Sequence, residues 1–220
     1  MSEVGTTAPA VSVSGSAGER NVKSYLPAAL ILIPLFLFAV ATLTRYLKPA
    51  APLLPVQGVV PDFQLTRSDG KPLALEDLRG HIWIAGFIFT RCPGTCGAMS
   101  TRMEELQKAT VRAEDLRLVS ISVDPQYDTP EVLGAYAKNF DVDPRRWFFL
   151  TGPRDAIYRL AEGGFKLSAV PDGTGLITHS DRLALVDAQG RIRGTYSGTE
   201  PDALPALLKD LERLYREPRP

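Results

Sequence analysis

The sequence predicts an α/β fold, and three features beyond residue 59 support this prediction. Two apolar runs of strand length, at 81–90 and 116–123, are each followed by a segment with helical patterning. The first run is apolar almost throughout, which is typical of a central strand covered on both faces. Near the C-terminus, a turn signal at 187–190 separates two further strands, and an amphipathic helix follows. Strands and helices therefore alternate as they do in α/β domains.

The individual elements follow from the same patterns. Ser68-Asp69-Gly70 predicts a hairpin turn between short strands at 62–65 and 71–75. Asp128-Thr129-Pro130-Glu131 predicts a helix start, with proline in the first turn. The other predicted strands are 81–90, 116–123, 147–150, 183–186 and 192–196, and the predicted helices are 92–109, 130–139, 153–162 and 200–215. This order is that of a thioredoxin-like fold with an N-terminal hairpin extension.

A single transmembrane helix is predicted before this domain. The segment 24–44 carries no charged side chain, and as a helix it would be about 31 Å long, close to the thickness of a bilayer's hydrocarbon core. Pro34 lies inside it, where lipid-embedded helices tolerate proline. A cleaved signal peptide is the alternative, since Ala39-Val40-Ala41 resembles a cleavage site, but the preceding region mixes acidic and basic residues.

The orientation of the anchor does not follow from its flanking charges. Arg20 and Lys23 on one side are balanced by Arg45 and Lys48 on the other. A long folded domain translocates largely regardless of its charge, so we expect the domain on the extracytoplasmic or periplasmic side of the cytoplasmic membrane. An anchor and a cleaved signal predict the same compartment for the domain.

Four regions are therefore predicted along the chain. Residues 1–23 have the composition of a disordered tail, and residues 24–44 form the transmembrane anchor. Residues 45–58, with three prolines, are expected to be a stiff tether. Residues 59–220 are expected to form one thioredoxin-like domain, which is long enough to bury a sizeable core.

Composition narrows the classes of function. The 220 residues include 25 basic and 25 acidic side chains, so the formal net charge is zero. No window carries the cluster of basic residues that nucleic-acid binding requires, so nucleic acid is not an expected partner. The chain has only two cysteines and two histidines, which excludes a disulfide scaffold and limits any metal site to a few ligands.

Both cysteines lie where the first apolar run turns into a helix, in Arg91-Cys92-Pro93-Gly94-Thr95-Cys96. A helix N-terminus and the adjacent Arg91 favour thiolates, so both sulfurs are expected to ionise easily. Their spacing places the two Cα atoms about 6 Å apart on one helix face, near the upper limit for a disulfide. It therefore favours a metal held between two thiolates and still permits a disulfide. A buried inert pair or a structural staple fits this polar helix start less well.

The two histidines differ in what they can reach. His81 opens the strand whose far end delivers Cys92, about 30 Å away, so we expect it to be a solvent-facing residue outside the site. His179 follows a glycine-containing loop at 171–175 that can fold back over the thiols. From the residues alone, His179 can be either a metal ligand or an ordinary surface histidine.

Two thiolates and one imidazole would suit copper, whereas structural zinc would lack a fourth ligand. Met99 and Met103 lie on an apolar helix stripe and are expected in the core.

Five short motifs occur in order along the domain: Phe-Thr-Arg-Cys-Pro-Gly-Thr-Cys at 89–96, Val-Ser-Ile-Ser-Val-Asp-Pro at 119–125, Asp-Thr-Pro-Glu-Val-Leu at 128–133, Thr-His-Ser at 178–180 and Asp-Ala-Gln-Gly at 187–190. Together they resemble the Sco/SenC family. Its members are membrane-anchored, thioredoxin-like copper proteins that assist assembly of the copper A centre in cytochrome c oxidase subunit II. The resemblance implies that Cys92, Cys96 and His179 bind copper, as Cu(I), Cu(II) or both.

The chain departs from the family pattern at two positions. Gly94 lies between the cysteines and Thr178 precedes the histidine, where the family often has aspartate. The residues around the metal are therefore expected to tune its affinity or potential differently. Asp124 is a candidate for a carboxylate near the site.

The resemblance implies a copper metallochaperone that delivers copper to subunit II of cytochrome c oxidase or to a related copper protein. The main alternative is a thiol-disulfide reductase that keeps the target's cysteines reduced through Cys92 and Cys96, and a redox or copper sensor is a further one. His179 separates the first two, because a metal site needs it and dithiol exchange does not. Enzymatic activity is thus expected only in the reductase case. The oligomeric state does not follow from the sequence.

Overall fold

A computed structural model of the chain describes residues 26–46, 53–167 and 181–218. The chain divides into two compact units, Met1–Ala50 and Ala51–Pro220. In the first unit, helix α1 spans Leu26–Tyr46 and includes Pro34. Large apolar side chains of its middle part are exposed at consecutive positions, from Leu30 to Leu43. Over the three described ranges, no helix combines the length and apolarity needed to cross a membrane. The predicted tail at 1–23 lies outside the described residues.

Within its described residues, the second unit is built on a mixed sheet of eight strands, in the order β1-β8-β7-β4-β5-β6-β2-β3. The strands are β1 Gly58–Val59, β2 Gln64–Arg67, β3 Pro72–Ala74, β4 Trp83–Ile88, β5 Arg117–Ser122, β6 Trp147–Thr151, β7 Arg182–Val186 and β8 Arg191–Ser197. The helices are α2 Thr95–Ala109, α3 Pro130–Ala137, α4 Arg154–Arg159 and α5 Ala203–Arg216.

The centre of the sheet has the predicted thioredoxin-like arrangement. Strand β4 pairs in parallel with β5, and α2 connects them. On its other side β4 pairs antiparallel with β7, which forms the predicted hairpin with β8 before α5. A βαβ unit, β4-α2-β5, and a ββα unit, β7-β8-α5, are therefore joined by the pairing of β4 with β7. The N-terminal hairpin, β2 with β3, extends the sheet beyond β6 as predicted.

Both hairpin turns depend on glycine. Gly70 and Gly190 have φ values of 81° and 78°, a left-handed conformation that side chains with a Cβ disfavour. Gly70 closes the β2–β3 turn and Gly190 closes the β7–β8 turn, at the positions that the sequence predicts.

The core lies against both faces of the central strands. All six residues of β4 are buried, as expected for a nearly continuous apolar run. Helix α2 covers one face with Met99, Met103 and Leu106, which confirms the predicted core stripe. Gly86 allows close packing at the centre, because a Cβ there would lie 2.9 Å from Leu183 Cδ2.

Three local differences from the sequence prediction have identifiable causes. Helix α2 begins at Thr95 instead of Cys92, since Pro93 precedes Gly94 and Gly94 has a non-helical conformation with φ −131° and ψ −109°. The α-helical part of α4 ends at Arg159 and continues as a π-helical turn, Leu160–Gly164. Strand β1 was not predicted, because two residues carry no periodic signal. Residues before it also pack on the sheet, with Leu54 buried and the Gln57 N–H bonded to the Ile192 carbonyl.

Candidate metal centre

The two thiols lie at the end of β4, in the turn that leads into α2. The Cys92 N–H donates to the Phe89 carbonyl over 3.2 Å, which closes a tight turn directly after the buried strand. Cys92 itself is half-buried, whereas Cys96, in the first turn of α2, is 3% exposed. Both cysteines are free thiols, which is the reduced, dithiol form of the site.

The two thiols differ in acidity. Burial alone would raise the pKa of Cys92, but hydrogen bonds from the Cys96 thiol, from the backbone of Cys96 and Gly94, and from Thr95 outweigh it and lower the pKa. Burial raises the pKa of Cys96 to about 12, and the neighbouring Cys92 sulfur adds to the effect. The expectation that both sulfurs ionise easily is therefore wrong for Cys96, because its burial disfavours the thiolate and the hydrogen bond with Cys92 favours the charge on Cys92 instead.

Arg91 was expected to stabilise the thiolates, but its guanidinium contacts a different group. Its Nη2 donates to Asp124 Oδ2 over 2.7 Å, and its Cζ lies 4.1 Å from the centre of the Tyr127 ring. The hydrogen bond to Asp124 raises the pKa of Arg91. Asp124, the candidate carboxylate near the site, thus binds the residue that precedes Cys92.

Asp128 was assigned from the sequence to the start of a helix, and the structure gives it a different place. Its carboxylate is 0% exposed and accepts from the Thr90 N–H at 3.0 Å and the Thr90 hydroxyl at 2.5 Å. The Ser122 hydroxyl donates to the same carboxylate over 2.5 Å. The N-cap of α3 is Thr129, whose hydroxyl accepts from the Val132 N–H at 3.3 Å. The Asp-Thr-Pro pattern gave no signal of this contact, because it depends on the pairing of β4 with β5.

A tyrosine from the next helix lies beside the first turn of α2. The Tyr136 hydroxyl donates to the Cys96 carbonyl over 3.4 Å and lies 3.0 Å from the Ser100 hydroxyl. Burial raises the pKa of Tyr136, and its contact with Ser100 opposes that rise. Helix α3 therefore supports the backbone that carries Cys96.

Of the two histidines, the structure describes His81, which lies away from the thiols as predicted. His81 precedes β4, at the end opposite to Cys92, and therefore does not meet the thiols. It is half-buried instead of solvent-facing, because its Nδ1 lies 3.1 Å from the Asp115 carbonyl. His179 and Thr178 lie outside the described residues. Within 26–46, 53–167 and 181–218, no three residues of the types His, Cys, Asp and Glu come together as a metal-binding group.

Among the described residues, the soft donors at this end of the sheet are the two sulfurs of Cys92 and Cys96. Thiolates are soft ligands that select Cu(I) over hard cations such as Mg²⁺ or Ca²⁺. A half-buried Cys92 beside a buried Cys96 leaves one sulfur accessible from solvent. The pair can therefore either hold a soft metal ion or exchange with an external disulfide.

Comparison with known proteins identifies a family. The family model described as SCO1/SenC matches residues 53–216. The SCO1 protein homolog of Bacillus subtilis is 35% identical over 162 residues, which cover 72% of this chain and 83% of the relative.

Two solved structures are similar over most of the second unit. BsSco, described as a member of the Sco family of cytochrome c oxidase assembly proteins, is 30% identical with a TM-score of 0.65, covering 75% of this chain and 99% of its own. ScoI of Bradyrhizobium japonicum, solved with copper bound, is 26% identical with a TM-score of 0.59, covering 71% and 99%.

Proposed function

The chain belongs to the SCO1/SenC family, and on that premise we propose that it binds copper and assists the assembly of cytochrome c oxidase. The observation that carries the proposal is the pair of free thiols at the end of β4, one half-exposed and one buried. One relative solved with copper bound, and another described as a member of the Sco family of cytochrome c oxidase assembly proteins, support the same function.

We propose Cys92, Cys96 and His179 as the copper ligands. The two sulfurs supply the soft donors that Cu(I) prefers, and an imidazole completes a three-coordinate set. The position of His179 in the sequence supports its inclusion, since it comes two residues before Asp181. Asp181 accepts hydrogen bonds from Ser197 at 2.6 Å and Thr199 at 2.9 Å, which fix this point of the chain to the end of β8. Copper is the cargo in this proposal, bound for transfer to another protein.

The proposed recipient is the copper A centre of cytochrome c oxidase subunit II, reached from the extracytoplasmic side of the membrane. Helix α1 supports attachment by a single helix, because between Leu30 and Leu43 it exposes large apolar side chains at most positions instead of along one stripe. Residence of the full chain in membranes after an alkaline wash, and its release when residues 1–50 are deleted, would test this attachment. Release of the full chain by the wash would contradict it.

Thiol-disulfide exchange is the second candidate function, and one observation favours it. Cys92 is accessible and has a lowered pKa, whereas Cys96 is buried with a raised one. An attacking thiol needs the first set of properties, and a resolving thiol tolerates the second. The same pair can therefore reduce a disulfide in the recipient.

A transfer experiment separates the two functions. Copper-loaded chain is mixed with the copper-free soluble domain of subunit II, in its dithiol form for one arm and its disulfide form for the other. Formation of the copper A centre is followed by absorbance, and reduction of the disulfide by mass spectrometry. The chaperone function predicts transfer to the dithiol form that His179→Ala abolishes.

Reductase activity predicts reduction of the disulfide form that Cys92→Ser abolishes and His179→Ala leaves unchanged. Disulfide reduction without any copper transfer by the wild-type chain would contradict the chaperone function and leave the reductase in its place.

A further inference from the structure

Asp128 has a fully buried carboxylate that neither caps a helix nor pairs strands. Burying a charged group is costly unless hydrogen bonds compensate it. Three donors surround this one: the Thr90 N–H, the Thr90 hydroxyl and the Ser122 hydroxyl. The capping role at α3 already belongs to Thr129, so the helix does not need the carboxylate. Two of its three bonds go to a single residue, Thr90.

Thr90 is part of the turn that presents Cys92. The hydrogen bond from the Cys92 N–H to the Phe89 carbonyl makes Thr90 the first of the two central residues of that turn. Within the turn, one backbone hydrogen bond holds residues 89–92 together, and a Pro-Gly pair follows them. Asp128 binds both polar groups of Thr90 that face the β5–α3 connection, and so fixes the turn from the side.

The connection that carries Asp128 is itself well held. The Tyr127 and Asp128 N–H groups donate to the Asp124 carbonyl over 3.1 and 2.9 Å, which folds 124–128 into a compact loop. The Asp124 side chain and the Tyr127 ring then engage Arg91. Two successive residues before Cys92 are therefore held by one loop, and of the two carboxylates involved Asp128 is the more deeply buried, at 0% exposed against 7% for Asp124.

We infer that Asp128 is a positioning residue for the metal centre. Its hydrogen bonds to Thr90 fix the position of the Cys92 sulfur relative to Cys96. Asp128 therefore favours copper binding without contacting the metal. The inference rests on the proposed copper site and concerns a residue outside it. Groups that orient metal ligands typically change metal affinity by about ten- to a hundredfold when they are removed.

Four substitutions distinguish the effect of the hydrogen bonds to Thr90 from the effect of the negative charge of Asp128 and from a general loss of stability. Asp128→Asn keeps the volume, and its amide can keep all three bonds, since its oxygen accepts from the Thr90 N–H and Ser122 while its NH₂ donates to the Thr90 hydroxyl. Asp128→Ala loses all three bonds. Thr90→Val keeps the side-chain shape and removes only the hydroxyl bond. The matched control is Thr110→Val, which removes a buried hydroxyl bonded at 2.6 Å to the Leu106 carbonyl at the far end of α2.

The full-length chain in detergent is used for three measurements: Cu(I) affinity by competition with a chelator, thermal unfolding of the copper-free form, and amide hydrogen exchange of residues 89–92 in the copper-free form. We expect Asp128→Ala and Thr90→Val to weaken Cu(I) binding by about tenfold or more and to speed exchange in the turn. Asp128→Asn is expected to stay within about threefold of wild type. Thr110→Val is expected to lower the unfolding temperature and leave affinity and exchange unchanged.

Two results would overturn the inference. One is a Thr90→Val chain that binds Cu(I) as the Thr110→Val chain does, with unchanged exchange at 89–92. The other is an Asp128→Asn chain as impaired as Asp128→Ala, which would mean that charge and not hydrogen bonding matters. A wild-type chain that binds no copper would instead overturn the proposed function, and the exchange measurement would still decide whether Asp128 fixes the turn.

Discussion

The guanidinium of Arg193 donates to Glu217 Oε2 over 2.6 Å and so joins strand β8 to the residue that follows α5. The same side chain donates to Asp187 Oδ2 at 2.9 Å and to the Leu54 carbonyl at 2.5 Å. The Leu54 N–H in turn donates to Glu217 Oε1 over 2.6 Å. One buried arginine therefore ties the first described residues of the domain to its last ones. Arg193 lies near the start of β8, at the end of the sheet away from the thiols.

Replacing Arg193 tests this cluster. Arg193→Met would remove the cation that pairs with the largely buried Glu217 carboxylate and one of the two arginines that pair with Asp187, which keeps Arg191 at 2.7 Å. Removing one partner of a buried ion pair costs about 3–5 kcal/mol. We expect a decrease of that size in the free energy of unfolding, measured by urea denaturation, with copper affinity unchanged in the folded fraction.

Arg216→Met is the matched control. Arg216 pairs with Glu212 at 3.3 Å, and both side chains are largely exposed. Exposed pairs contribute about 0–1 kcal/mol, so the control is expected to unfold nearly as the wild type does. Equal effects of the two substitutions would contradict a special role for the buried cluster.

The two thiols are predicted to react at different rates. Cys92 is accessible and its pKa is lowered, whereas Cys96 is buried with a pKa of about 12. Alkylation of the copper-free chain with iodoacetamide at neutral pH is therefore expected to label Cys92 first. Peptide mass spectrometry of the wild type and of each cysteine-to-serine variant measures this order. Faster labelling of Cys96 in the native chain would contradict it.

The raised pKa of Cys96 also predicts a loss of stability at alkaline pH. A thiol in the unfolded chain ionises with a pKa of about 8.5. The folded chain holds the Cys96 proton up to a pKa of about 12. Above the unfolded pKa the unfolded state releases a proton that the folded state keeps, so stability is full below that pH and falls as pH rises towards 12.

Unfolding of the copper-free chain between pH 8 and 11, compared with Cys96→Ala, measures this effect. We expect a shallower decline with pH in the variant. Tyr136 contributes to the alkaline decline in both chains, because burial raises its pKa as well. Parallel curves for the two chains would therefore show that Cys96 does not carry the effect.

The cap of α3 gives a prediction about stability alone. Thr129→Ala removes the hydroxyl that accepts from the Val132 N–H, and loss of such a cap costs about 1 kcal/mol. Thr101→Ala is the control, because the Thr101 hydroxyl lies in the middle of α2 and donates only to the Gly97 carbonyl of its own helix. Chemical denaturation is expected to show a clear loss for the first variant and almost none for the second.

Most of the fold could be predicted from the sequence because its signals are local. The buried run that becomes β4, the turns closed by Gly70 and Gly190, and the apolar stripe of α2 each carry a pattern that one segment determines. The thiol pair could be located for the same reason, since Cys92 and Cys96 are near each other in the sequence.

What could not be predicted depends on contacts between distant segments. The raised pKa of Cys96 comes mainly from the burial of its side chain in the folded domain, whereas the sequence shows only the helix terminus and Arg91 beside the thiols. Arg91 binds Asp124 and Thr90 binds Asp128 because the parallel pairing of β4 and β5 brings their ends together. Leu54 joins the domain through Arg193, a residue far along the chain.

An anaerobic titration with Cu(I) is the most direct test of whether Cys92, Cys96 and His179 together bind copper. The reduced full-length chain is titrated in the presence of a competing chelator, alongside Cys92→Ser and His179→Ala. We predict one tightly held copper per chain, lost in the cysteine variant and weakened in the histidine variant. Weak binding that His179→Ala leaves unchanged would contradict the three-ligand site and point to thiol exchange as the activity of the pair.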